Sequence, residues 1–152
     1  MEKYARFRYQ PCKPLGEDGR CVTASKKHTE LSRCAATEGM VLLKNENNAL
    51  PLQKGEKIAL FGKATIEYIK GGGGSGDVNC PYIRNIYEGF LCKAPRVSIY
   101  EPLTKFYYDY AMEHLSEYEG DLLFPEIEVP EELVRDAAAN ADVAVVVIHR
   151  FS

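Results

Sequence analysis

The sequence has no basic excess, no long apolar run and no closely spaced cysteine pair, and each absence removes a class of function. With 19 Lys and Arg against 22 Asp and Glu, the formal net charge is -3, without the clustered positive charge by which proteins hold nucleic acid. Nucleic acid is therefore not an expected partner. The longest apolar run, Val143 to Ile148, falls far short of the ~20 residues a bilayer-spanning helix needs. The opening Met1-Glu2-Lys3-Tyr4-Ala5-Arg6-Phe7-Arg8-Tyr9 alternates charge with aromatics and lacks the continuous apolar segment of a secretory leader. These features predict a soluble, cytoplasmic chain with no membrane partner.

Cysteine stands at Cys12, Cys21, Cys34, Cys80 and Cys92, an odd number with no CxxC spacing, so free thiols are expected. Cys12, Cys21 and His28 are spaced unlike the usual zinc ligands. No metal site is expected, and His28 reads as a surface histidine.

What is present is enough for one core: 152 residues with 45% hydrophobic content, a size that buries about 68–70% of its unfolded surface. Residues 1–22, with Pro11, Pro14, Gly16 and Gly19 among charges, read as an extended lead-in. From Thr23 or Ser25 as N-cap, the spacing predicts a helix through Glu38 stopped by Gly39, with Leu31, Cys34 and Ala35 as its apolar stripe. Met40 to Asn45 reads as a strand, and Lys57 to Gly62 as a central one, because it is apolar on both faces. A short helix is expected from Pro81 through Phe90, a strand at Arg96 to Glu101, and a helix from Leu103 to Leu115. Residues 116–130 read as a solvated acidic excursion, Pro130 to Asn140 as a helix and Ala141 to Ile148 as a strand. Strands alternating with helices predict an α/β fold, with a mostly parallel sheet carrying helices on both faces.

Between the central strand and the short helix lies Lys70-Gly71-Gly72-Gly73-Gly74-Ser75-Gly76-Asp77. Four consecutive glycines suit a tight turn or close approach of another group, and ligands of such sheets bind beyond the carboxyl ends of the strands. A P-loop fails here, since Asp77 and Val78 stand where lysine and a hydroxyl residue are required. The dinucleotide fingerprint is matched by Gly71, Gly73 and Gly76, with Glu101 as the ribose acid. Yet the strand ends well before the glycines, and the helix starts too late for its N-terminus to meet pyrophosphate.

Ala35 through Leu52 (AATEGMVLLKNENNALPL), followed by Lys57-Ile58-Ala59-Leu60-Phe61-Gly62, resembles the opening of the α/β-sandwich domain of family 3 glycoside hydrolases, the β-glucosidase family. Gly73 to Gly76 with Val78-Asn79 and Pro81-Tyr82 resembles that domain's glycine loop, and Ala141 to Ile148 its later core strand. The resemblance implies residues 23–152 as a partial sandwich domain in reversed order, with a (β/α)8 barrel outside this chain. It implies a β-glucoside or oligosaccharide as substrate, bound with Gly74, Ser75 and Gly76 at the rim of a sugar subsite, and no cofactor.

No catalytic residue is assigned. The nucleophile belongs to the barrel, and the family's acid/base lies in a Gly-Glu-Gly loop beyond Arg150-Phe151-Ser152. His149 stands where the family commonly has glycine. Alone, such a chain is expected to be inactive. A stand-alone carbohydrate- or dinucleotide-binding module and self-association through an exposed sheet edge stay open as alternatives.

Overall fold

The structure, a computed structural model, describes residue 18 and residues 25–68, 82–117 and 124–149. The chain divides into two units between Asn47 and Asn48.

In the first unit, helix α1 (Lys26–Glu38) begins where expected. Ser25 is extended at its φ and ψ, and its Oγ accepts from the His28 N–H at 3.3 Å, which satisfies one of the first-turn donors. At the other end the Gly39 N–H donates to the Ala35 carbonyl at 2.9 Å. The apolar stripe behaves differently from expectation: α1 has no buried residue, and Leu31 is exposed. Met40 to Asn45 is not a strand either. Its residues have the propensity, but a strand also needs a hydrogen-bonding neighbour, and none pairs with it among the described residues. Met40, Val41, Leu42 and Leu43 are all exposed.

The second unit is built on a parallel sheet of order β2-β1-β3, in which β1 is Lys57–Phe61, β2 is Ser98–Ile99 and β3 is Val143–Val146. The central place of β1 follows from its composition. Ile58 and Leu60 enter one cluster with Val97, Ile86 and Phe90, and Ala59 enters the other with Tyr100, Leu103, Tyr107 and Ala137. Alternate side chains of a strand face opposite ways, so helix α2 (Ile86–Leu91) covers one face, while α3 (Glu101–Glu117) and α4 (Glu131–Asn140) cover the other. Helices on both faces of a parallel sheet are thus as expected.

Helix α2 starts later than Pro81. Asn85 is its N-cap, its side chain accepting from the Glu88 N–H at 2.7 Å while Glu88 accepts from the Asn85 N–H at 3.2 Å. This reciprocal box outcompetes a start at proline, whose ring merely tolerates the first turn. The sheet edge at β3 is only half covered. Val146 pairs in register with Phe61, so it faces the α3 and α4 side, where it remains 65% exposed.

Among the described residues, two glycines have positive φ: Gly55 at 95° and Gly62 at 99°. They differ in surroundings. A Cβ on Gly55 would meet nothing, whereas one on Gly62 would lie 2.4 Å from the Val147 carbonyl oxygen. Gly55→Ala is expected to cost about 1–2 kcal/mol for the backbone conformation alone, and Gly62→Ala about 3 kcal/mol or more because overlap is added to it. Urea denaturation midpoints check this order; equal losses would refute the close contact.

Where β2 ends, Tyr100 donates its phenolic proton to the Asp136 carboxylate on α4, tying sheet to helix. That hydrogen bond, then burial, then the Asp136 charge push the phenol up to about 12. The folded chain keeps a proton that the unfolded chain releases, so the stabilisation is complete below the ordinary tyrosine value of 10.0 and fades as pH rises towards about 12. Alkaline absorbance titration should show this late phenol, and Asp136→Asn should bring it earlier; an unchanged titration would overturn the assignment.

Candidate functional site

The carboxyl ends of β1 and β3 open into a cavity of about 510 Å³, lined by Phe61, Gly62, Lys63, Tyr107, Glu126 and Val146 to His149. Its floor is made by the exit of the central strand. After Phe61 the chain reverses through Gly62 into a single 3-10 turn, Lys63–Thr65, because glycine alone accepts both the positive φ and the nearness of Val147. The Thr65 Oγ1 donates to the Gly62 carbonyl at 2.8 Å and the Ile66 N–H to the Lys63 carbonyl at 3.0 Å.

That reversal turns Lys63 inward, where it is 6% exposed. Its ammonium donates to the Phe124 carbonyl and stands 4.2 Å above the centroid of the Phe124 ring, a distance at which cation and ring attract. Phe124 itself is fully buried. The Lys63 N–H donates to the Glu126 carboxylate, at 2.9 Å to Oε1 and 3.3 Å to Oε2. Residues 124–126 and the turn therefore clasp each other across more than sixty residues of sequence, through charge-assisted bonds of the stronger kind. Within residues 116–130, Glu126 and Glu128 are exposed as the solvated-face reading expects, but Phe124 is buried and Glu126 also accepts from the turn, while residues 118–123 lie outside the described residues.

Of the groups lining the cavity, the Tyr107 phenol is tuned by its surroundings. Burial pushes the Tyr107 phenol up, a backbone hydrogen bond from Gly62 pulls it back, and the Glu126 charge pushes it up again. Outside the lining, burial raises the Glu67 carboxyl above the ordinary carboxylate range. His149 is half-buried in the cavity wall. Tyr107, Glu126 and His149 can donate and accept hydrogen bonds to a polar ligand, but among the described lining residues Glu126 is the one carboxylate, without an opposed partner across the cavity.

The sequence-predicted site residues Gly74, Ser75 and Gly76 lie outside the described residues, as do Cys12, Cys21 and Lys70. His28 is exposed on α1, and Cys34 and Cys92 are free and exposed. Among the described residues no group of three His, Cys, Asp or Glu could hold a metal ion, and no helix is long and apolar enough to cross a membrane. Sequence reasoning missed Lys63, Phe124 and Glu126, whereas Tyr107 falls on the aromatic face of its helix that the spacing marks as core, and it is buried there. The available signal was an aromatic, Phe124, inside an otherwise acidic, proline-bounded stretch.

Comparison with known proteins adds three findings. The sequence profile described as the glycosyl hydrolase family 3 C-terminal domain matches residues 40–152. Beta-glucosidase A of Butyrivibrio fibrisolvens is 52% identical over the whole of this chain, which spans 18% of that protein, and a beta-glucosidase of Ruminococcus albus is 36% identical over 74% of the chain and 12% of its own length. The solved structure of beta-glucosidase 3B from Thermotoga neapolitana in complex with alpha-D-glucose superposes with a TM-score of 0.74 at 41% identity, over 83% of this chain and 18% of that one. A beta-glucosidase from Paenibacillus barengoltzii does so at 0.75 and 36% identity, over 84% of this chain and 14% of that one. The chain thus spans less than a fifth of the length of these relatives.

The clasp can be tested on the chain itself. Lys63→Met keeps the apolar stem but leaves the Phe124 carbonyl without its ammonium donor, so a loss of about 1–3 kcal/mol is expected. Lys63→Ala should lose more, because the stem over the Phe124 ring goes too. Thermal and urea unfolding measure both; a Lys63→Met chain as stable as the parent would refute the clasp.

Proposed function

The chain belongs to the family of glycosyl hydrolase family 3 C-terminal domains, and from that premise we propose that it serves as part of a β-glucosidase that hydrolyses β-linked glucosides with retention. The observation that carries this reading is 52% identity to a beta-glucosidase along every part of the chain, at 18% of that protein's length. In the proposal, residues 1–22 are a lead-in and 23–152 a partial sandwich domain, with the barrel downstream in reversed order, in a cytoplasmic enzyme.

A retaining glycosidase needs two carboxyl groups about 5–5.5 Å apart across the scissile bond, one as nucleophile and one as acid, then base. In this reading neither is supplied by residues 1–152. The chain supplies instead the rim of the sugar subsite, with Gly74 and Gly76 offering backbone N–H groups and Ser75 its hydroxyl to the sugar. The exposed apolar residues support a larger assembly: Met40 to Leu43 in one unit, and Val146 and Ile148 in the other. Apolar surface of this kind is normally covered by a partner surface. Within the proposal that partner is the rest of the enzyme, and in the isolated chain the β3 edge can pair with a second copy.

Two measurements test this. The isolated chain should not turn over an aryl β-glucoside, and clear turnover would overturn its assigned inactivity. In a complete enzyme carrying this segment, Ser75→Ala should raise KM about three- to tenfold, as expected for one hydrogen bond to a neutral hydroxyl; an unchanged KM would remove Ser75 from the subsite.

A further inference from the structure

We propose that the cavity at the carboxyl ends of β1 and β3 binds a neutral hydroxylated ring, a pyranose, with Tyr107 and Glu126 sharing one ring hydroxyl and His149 meeting another. The inference deepens the proposed glucosidase reading and rests on it for the choice of a glucoside, while the site itself is made of described residues.

Two successive backbone groups set the Tyr107–Glu126 pair. As the central strand leaves the sheet, a hydrogen bond from the Gly62 N–H reaches the Tyr107 phenolic oxygen, and the Lys63 N–H donates to the Glu126 carboxylate at 2.9 Å and 3.3 Å. The phenol thus already accepts, and among the described residues no acceptor takes its proton. Tyr107 is 2% exposed, and a buried donor left without an acceptor is costly. The carboxylate has about four lone-pair positions, so one N–H leaves it room for further donors. Its charge is felt at the phenol, yet among the described residues no hydrogen bond joins the two. A phenol with a spare proton and a carboxylate with spare lone pairs, near each other but unbonded, are complementary to a hydroxyl, which accepts from the first and donates to the second.

The rest of the lining narrows the ligand class. An anion is disfavoured, because it cannot donate to Glu126 and meets its charge, while the Lys63 ammonium is turned to the Phe124 carbonyl and ring. The remaining walls are apolar, made by Phe61, Val146 and Ile148. A pyranose carries hydroxyls around its rim and C–H groups on its faces, and so matches polar and apolar walls together. A space of about 510 Å³ with mostly apolar walls and a few converging polar groups falls within the range of small-molecule sites. His149, whose imidazole has no hydrogen-bond partner among the described residues, gives a second polar contact at the end of β3 and can donate or accept.

The test titrates the 152-residue chain with methyl β-D-glucoside and follows amide shifts by NMR. Saturable shifts are expected at Gly62, Lys63, Val147, Ile148 and His149. Tyr107→Phe, which keeps the buried ring and removes the hydroxyl, should stay folded and weaken binding about three- to tenfold, the worth of one hydrogen bond. Tyr108→Phe, at an exposed neighbour outside the lining, should leave binding unchanged. Absence of saturable shifts at these amides, a folded Tyr107→Phe chain that binds as tightly as the parent, or equal weakening by Tyr108→Phe would overturn the site. Saturable shifts of the same amides by inorganic phosphate would overturn the neutral ligand class.

The site and the glucosidase reading fail separately. Hydrolysis of an aryl β-glucoside by a complete enzyme carrying the segment, without binding at these amides, would overturn the site and keep the reading. Binding here with no hydrolysis by the complete enzyme would overturn the reading and keep the site.

Discussion

The close approach of Gly62 to the Val147 carbonyl is the constraint on which the carboxyl edge of this sheet depends. β1 and β3 run parallel in register from Ile58 and Val143 to Phe61 and Val146, and the ladder continues one step with the Val147 N–H on the Phe61 carbonyl at 2.9 Å. Immediately beyond that bond the central strand must leave the sheet. A side chain at residue 62 would occupy the space of the neighbouring carbonyl, so the strand can turn so abruptly only at a glycine. Because the turn is abrupt, Lys63 points inward and residues 63–66 are all buried, with Lys63, Thr65 and Ile66 each hydrogen-bonded.

Those partners explain why a lysine is tolerated in a buried position. A buried ammonium without compensation is heavily penalised, but here it has a carbonyl and an aromatic face, while its backbone N–H is taken by a carboxylate. The arrangement is reciprocal. Phe124 needs the turn to complete its burial, and the turn needs residues 124–126 to satisfy its donors. Neither segment has enough regular structure to hold itself, and together they make a firm floor for the cavity.

Much of this was legible in the sequence, and the limits have physical reasons. The central strand was readable because Ile58, Ala59, Leu60 and Phe61 are apolar on both faces, a pattern with few alternatives. The cap at Ser25 and the stop at Gly39 were readable because capping is local. Met40 to Asn45 was misread because strand propensity says nothing about whether a neighbour exists to pair with. The start of α2 was misplaced because Pro81 is the louder signal, although the Asn85–Glu88 box is the stronger interaction. The clasp was invisible because its halves lie 61 and 63 positions apart, and no local pattern links a lysine after one strand to a glutamate before a distant helix. The family was legible through the block from Ala35 to Leu52, whereas the site it implies, Gly74 to Gly76, lies where the described structure says nothing.

The division between firm and open parts of this edge has a chemical logic. A retaining glycosidase must hold groups from separate segments to within fractions of an ångström around a sugar that enters and leaves. Residues 62–66 are held beside Val147 by Glu126, by Phe124 and by the Asn85 amide, which donates to the Ile66 carbonyl at 2.9 Å and also caps the start of α2. Rigidity is thus concentrated where the central strand leaves the sheet and where α2 begins.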